Sequence, residues 1–96
     1  MPRPRCFRRI CGRPSSNYFK PAGIPLALLE ELVVSADEFE AIRLKDFEGL
    51  EQEEAAGRMK VSQPTFHRIL ASARRKIAEA IVKGKAIRIE GGKRKV

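Results

Sequence analysis

One stretch does most to limit what this chain can become. From Val61 onward the apolar residues Val61, Phe66, Ile69, Leu70, Ala73, Ile77, Ala80 and Ile81 recur at intervals of three and four, a period that places them on one side of a helix running to about Lys83. The ends of that helix are marked as well as its face. Ser62 is an N-cap residue, Pro64 falls within the first turn where its missing N–H does no harm, and Gly84 is a natural C-terminal stop behind Lys83, whose charge complements the negative end of the helix dipole. With 96 residues in all, the chain has room for one compact domain built around this helix.

Two shorter helices are expected upstream. Ser35 followed by Asp37 and Glu38 forms a capping box with an acidic first turn; the broad apolar face of Phe39, Ala41, Ile42, Leu44 and Phe47 then runs to a break at Gly49. A second helix is expected from about Glu51 to Met59, with Glu residues at its start and Ala55, Ala56 and Met59 on its buried side. Residues 26–34 are apolar enough to be a helical turn or a strand, and their length does not decide between the two. Residues 86–90 alternate Ile87 and Ile89 with Arg88 and Glu90, as a short half-buried strand does. Residues 1–25 hold five of the six prolines and no helical period, and read as an extended arm. The expected architecture is therefore an all-α domain over residues 26–84, a basic arm over 1–25, and a short strand with a basic tail over 85–96.

Charge is distributed unevenly. Residues 1–20 carry six basic and no acidic side chains, residues 21–60 four basic against ten acidic, and residues 61–96 ten basic against two acidic, giving a formal net charge of +8. Basic ends around an acidic middle suggest a nucleic-acid footprint built from the termini, the alternative being a solvated basic surface without a partner. Arg and Pro interrupt every candidate signal peptide, and no apolar run approaches the ~20 residues that span a bilayer. A cytoplasmic protein that does not engage the membrane is expected.

The two helices around residues 52–69, joined by a tight turn, suit a helix-turn-helix, in which the second helix enters the major groove of DNA while the first crosses the backbone. Ala56 is small where the helices must approach closely, and Met59, Val61, Phe66 and Ile69 are available for their shared apolar contact. Lys60 stands where such a turn normally takes Gly, and a side chain at positive φ costs on the order of 1 kcal/mol.

At this point the residues resemble a known family. The stretches EFEAIRLKDFEGLEQEEAA and VSQPTFHRILASARRKIAEA, with the opening MPRPR and the segment NYFKPAG, are similar to the prokaryotic domain-of-unknown-function family 134 over nearly the whole chain. That family is in turn similar to region 4 of sigma-70 factors, a helix-turn-helix module that reads promoter DNA. The resemblance implies base-facing positions at Gln63, Pro64, His67 and Arg68, although Pro64 has no side-chain hydrogen bond to give. Gln63 suits a bidentate pair with adenine and Arg68 with guanine, each contributing about 1–3 kcal/mol of discrimination. His67 is suited to a guanine or a phosphate, or is an exposed helix residue without a role. Lys60, Ser62 and Thr65 near the helix N-terminus, and Arg74, Arg75 and Lys76 farther along, are expected at phosphate. The bland reading of the last three is a solvated helix face.

Arg3, Arg5, Arg8, Arg9 and Arg13, interleaved with proline, form a stiff cationic strip suited to the minor groove. Residues 7–11 are instead able to pair with the strand at residues 87–90. Cys6 and Cys11 have a spacing seen in zinc ligands, but two ligands do not complete a tetrahedral site, so free thiols and no metal are expected. No cofactor is expected, and neither is catalysis: the chain has one His and no nucleophile constellation or phosphate-binding Gly-rich loop. The expected activity is sequence-specific binding of duplex DNA in transcription regulation. A homodimer is expected, because one recognition helix reads too few base pairs for tight binding. The rival is a protein-interaction module that docks on RNA polymerase or another partner through its acidic middle.

Overall fold

The computed structural model describes residues 16–90. In chain order it places a two-residue strand β1 (Tyr18–Phe19), a 3-10 turn (Leu26–Leu28), strand β2 (Glu31–Val34), helix α1 (Ala36–Ile42) continued by a π-type turn (Arg43–Phe47), helix α2 (Gln52–Met59), helix α3 (Gln63–Lys83) and strand β3 (Ala86–Ile89). The strands form one sheet in the order β1-β3-β2, with β1 antiparallel and β2 parallel to the central β3.

The expectation of an all-α fold is thus corrected: the protein is mostly helical with a small three-stranded sheet. Both readings of residues 26–34 turn out to hold, one after the other, with a 3-10 turn leading into β2. The strand expected at residues 86–90 is β3, and it is stable because it has a neighbour on each side. Its antiparallel partner is Tyr18–Phe19, inside the segment expected to be an extended arm; the pairing proposed for residues 7–11 lies outside the described residues.

The helix boundaries follow their local chemistry. Ser35 Oγ accepts from the Glu38 N–H at 3.3 Å while Glu38 Oε1 accepts from the Ser35 N–H at 2.9 Å, so the capping box of α1 is closed from both sides. Ser62 caps α3, accepting from the Thr65 N–H at 3.2 Å, and Gly84 ends it at φ 68°. That left-handed residue turns the chain directly into β3, so α3 and the sheet are coupled without a loop between them.

One apolar cluster joins the three helices: Ala41, Leu44, Ala55, Ala56, Met59, Phe66 and Leu70, with Ile42, Leu50, Val61 and Ile69 packed against it. Phe66 and Met59 are wholly buried, and a side chain of that size contributes about 1.5–3 kcal/mol when removed from water. Farther along α3 the buried residues are Ala73 and Ala80, opposite Val34, Ala86 and Ile89 of the sheet. Two expected core residues are instead exposed, Ile81 at 74% and Phe47 at 82%. Ile81 lies a step past the buried Ala80 on the helix circumference. Phe47 lies in the π-type turn, where the Glu48 N–H reaches back to the Arg43 carbonyl at 2.8 Å; the wider turn advances each residue through a smaller angle, so Phe47 drifts off the face that Leu44 occupies.

Candidate nucleic-acid interface

The first turns of α3 are positioned from beneath and from behind. Beneath, Phe66 and Leu70 enter the core between Ala55, Ala56 and Met59 of α2 and Ala41 and Leu44 at α1 and its π-type extension. The alanines at 41, 55 and 56 are fully or almost fully buried, so the backbones approach closely and the start of α3 is held at a fixed place against α2. Behind, a turn of residues 60–62 connects α2 to α3. Lys60 occupies it with φ 61° and ψ 44°, the only non-glycine residue of positive φ among the described residues, and the Lys60 N–H closes on the Gly57 carbonyl at 3.1 Å. The conformation expected to favour glycine is therefore present, occupied by a lysine whose side chain is exposed.

With its apolar side committed inward, α3 turns Gln63, Pro64, His67 and Arg68 outward, all exposed. The side chains of Gln63, His67 and Arg68 make no hydrogen bond or ion pair with another described residue, so their polar groups remain available to a partner. Ser62 and Thr65 are engaged with each other: besides capping the Thr65 N–H, Ser62 Oγ donates to Thr65 Oγ1 at 3.0 Å. The Thr65 hydroxyl proton has no acceptor among the described residues and is free to donate to an anion. Nearby on α2, Arg58 pairs with Glu54 at 3.2 Å, while Glu51 and Glu53 are exposed.

The structure separates the three consecutive basic residues expected at phosphate. Arg74 makes two hydrogen bonds to Asp46, one at 3.0 Å, bracing α3 against the π-type turn. The guanidinium holds the Asp46 carboxyl below its ordinary range, and the carboxylate in turn raises the Arg74 pKa. Lys76 points inward. Its Nζ donates to the Val33 carbonyl at 2.7 Å and to Glu38 Oε1 at 2.9 Å. Arg75 alone is exposed with no hydrogen-bond partner among the described residues. Lys76 thus joins α3 to β2 and α1 instead of facing outward with Arg75.

Glu38 is the centre of that internal junction. It is 7% exposed, yet its carboxylate accepts from Ser72 Oγ at 2.5 Å, from Lys76 and from the Ser35 N–H. Burial by itself pushes its pKa up, but the bonds from Ser72, Lys76 and Ser35 outweigh burial and hold it below the usual carboxylate value. A second buried carboxylate, Glu40, receives Arg43 Nε at 2.9 Å and Nη2 at 2.8 Å in a fork geometry. Sequence reasoning took Glu38 as a capping-box and helix-dipole partner and did not single out Glu40. The only signal toward the first is the one-turn spacing of Ser72 and Lys76 on α3, and nothing in one sequence names Glu38 as what they face.

Among the described residues no group of three or more His, Cys, Asp and Glu is arranged to hold a metal ion, and no helix is long and apolar enough to cross a membrane. The minor-groove candidates Arg3, Arg5, Arg8, Arg9 and Arg13, and Cys6 and Cys11, lie outside the described residues.

A family model described as "Protein of unknown function DUF134" matches residues 1–96. A UPF0251 protein from Caldanaerobacter subterraneus subsp. tengcongensis is 62% identical over 96 residues, covering all of this chain and 81% of its own length. A second, from Thermoanaerobacter sp. (strain X514), is 56% identical over 96 residues, with 100% of this chain and 85% of the relative covered. One from Moorella thermoacetica is 63% identical over 92 residues, covering 96% of this chain and 62% of the relative. No solved structure matches the chain.

Proposed function

This chain belongs to the DUF134 family, and we propose that it binds duplex DNA sequence-specifically, with the first turns of α3 in the major groove and α2 crossing the backbone as a helix-turn-helix does. The observation that carries the reading is the outward row of Gln63, His67 and Arg68, unpaired and exposed, on a helix start whose opposite side is locked into the core by Phe66 and Leu70. Rigid placement with open hydrogen-bonding groups is what base readout requires, since each bidentate pair discriminates only at defined geometry. Lys60, Thr65 and Arg75 serve phosphate contacts around this row, and the Ser62 cap presents the helix N-terminus to the same backbone. Arg74 and Lys76 hold the scaffold. The role is transcription regulation in the cytoplasm, where the chromosome lies.

A docking role on RNA polymerase or another protein is the second reading. It is favoured by Phe47, 82% exposed and flanked in sequence by the exposed Asp46 and Glu48 of the acidic middle.

Selection of bound sequences from random duplex DNA, at several salt concentrations, tests the DNA reading. The native protein is expected to enrich a motif with steep salt dependence. Arg68→Ala is expected to relax one position of that motif, at a cost of about 1–3 kcal/mol. Absence of binding at low salt would refute the reading and leave the docking surface around Phe47 as the function to pursue.

A further inference from the structure

The outward side of α3 changes character along its length. After Arg75 it presents Ala78, Ile81 and Val82, and the last two are 74% and 80% exposed. The fold brings further apolar groups to the same end of the molecule. The Ala86 N–H donates to the Glu30 carbonyl at 2.8 Å and Lys85 Nζ pairs with Glu30 at 3.2 Å, which sets Glu30, two residues past the 3-10 turn bearing Leu26 and Leu28, against the junction of α3 and β3. Those leucines are 57% and 75% exposed. Lys20 Nζ bonds the Ile24 carbonyl at 2.8 Å, and next to it a groove of about 320 Å³ runs between Phe19 and Pro21 on one side and Ala80 and Ile81 on the other.

We infer that this end of the molecule is the contact surface for a second copy of the chain. Ile24, Leu26, Leu28, Ile81 and Val82 together leave roughly 600 Å² of residue surface exposed at this end, at the upper end of the apolar surface a monomer leaves open and about three quarters of the ~800 Å² that each partner brings to a standard interface. A two-fold contact must be self-complementary, and the patch holds both required shapes, a projecting Val82 and the recess beside Ile81. Its margin carries charges of both signs, Lys83 and the largely exposed Glu30, so two copies need not oppose like charges.

The inference rests on the proposed DNA reading for its consequence, not for its surface. Arg68 and Val82 are separated along α3 by about 21 Å at 1.5 Å per residue. Two copies joined at Val82 therefore place their Arg68 residues between ~30 Å apart, when the helices meet at a right angle, and ~40 Å apart end to end. That range includes the ~34 Å between half-sites one turn of DNA apart.

Sedimentation of the full chain without DNA tests it. The native protein is expected at twice its 10.8 kDa mass, and Val82→Glu at once that mass with an unchanged circular-dichroism spectrum, since the side chain is exposed within the protomer. Leu28→Glu, on the other lip of the patch, is expected to do the same and guards against one variant misfolding. On DNA, Val82→Glu is expected to weaken binding to paired half-sites by at least tenfold while retaining the native affinity for a single half-site. A native protein that sediments as a monomer at all concentrations, alone and on paired half-sites, overturns the inference even if Arg68-dependent DNA binding is found. So does a monomer whose melting temperature falls in Val82→Glu, because the patch is then covered within one chain.

Discussion

Two neighbouring basic residues on α3 are expected to respond oppositely to the same substitution. Lys76→Met removes an ammonium that bonds Glu38 and the Val33 carbonyl, leaving Glu38, whose side chain is 10% exposed, with only Ser72 and the Ser35 N–H. Stranding one member of a fully buried ion pair costs about 3–5 kcal/mol. The Lys76 side chain is 34% exposed, so water screens the pair and about 2 kcal/mol is the expected loss. Arg75→Met changes an exposed residue and should stay within ~0.5 kcal/mol of the native protein. Urea denaturation measures both. In a domain of this size a loss of 2 kcal/mol lowers the melting temperature by roughly 8–16 °C. DNA titration in increasing salt supplies the second half of the contrast: Arg75→Met is expected to reduce the salt slope by about one, whereas Lys76→Met leaves it unchanged. Replacing Glu38 by Gln together with Lys76→Met should recover part of the lost stability, because no buried charge is then unpaired. Equal stability losses at positions 75 and 76 would refute the assignment of Lys76 to the scaffold.

Three further outcomes are expected. Lys60→Gly should stabilise the protein by about 0.5–1 kcal/mol in thermal unfolding, since the φ of 61° costs a side-chain-bearing residue more than glycine loses in backbone entropy, and it should also lower the salt slope on DNA if Lys60 reaches phosphate. Ser62→Ala should cost about 1 kcal/mol through the lost cap on the Thr65 N–H, and Ser62→Gly only a few tenths, by the same assay. Stability should be fully present above the ordinary carboxylate value of 4.5 and be lost as pH falls through the lower folded-state pKa of Glu38; Glu38→Gln should flatten that acid limb, whereas Glu79 and Asp46, also held low by Lys85 and Arg74 but more exposed, should contribute little.

How much of this was legible depended on whether the deciding interaction was local. The start and end of α3, the capping box at Ser35 and the breaks at Gly49 and Gly84 are set by residues within one turn of each other, and the sequence reading placed all of them. The helical face of α3 was legible from spacing, with Ile81 the one residue that the period assigned to the buried side and the structure exposes. The sheet was not legible as a sheet. β2 has four residues and β1 two, too few to show alternation, and β3 pairs in parallel with a segment more than fifty positions earlier. The drift at Phe47 was hidden for a different reason, because an α-helical period was applied across a turn that is not α-helical.

For the candidate interface the same distinction decides what could be read. The exposure of Gln63, His67 and Arg68 follows from the burial of Phe66 and Leu70 on the opposite side of a capped helix, whereas their assignment to base contacts was implied only by the resemblance to sigma-70 region 4. The sorting of Arg74, Arg75 and Lys76 was not legible, because it depends on Asp46 and Glu38, which reach α3 only through the tertiary fold. These contacts also explain how one helix serves two ends of the molecule. Arg74 and Lys76 fasten the middle of α3 to the π-type turn, α1 and β2, between a front half set in the helical core and a rear half seated on the sheet. A helix clamped at its midpoint transmits little bending between those halves, so the exposed row at Gln63–Arg68, proposed to read bases, and the apolar end at Val82 keep a fixed separation. If two copies bind DNA as proposed, that fixed separation makes the half-site spacing a direct report of the angle at which they meet.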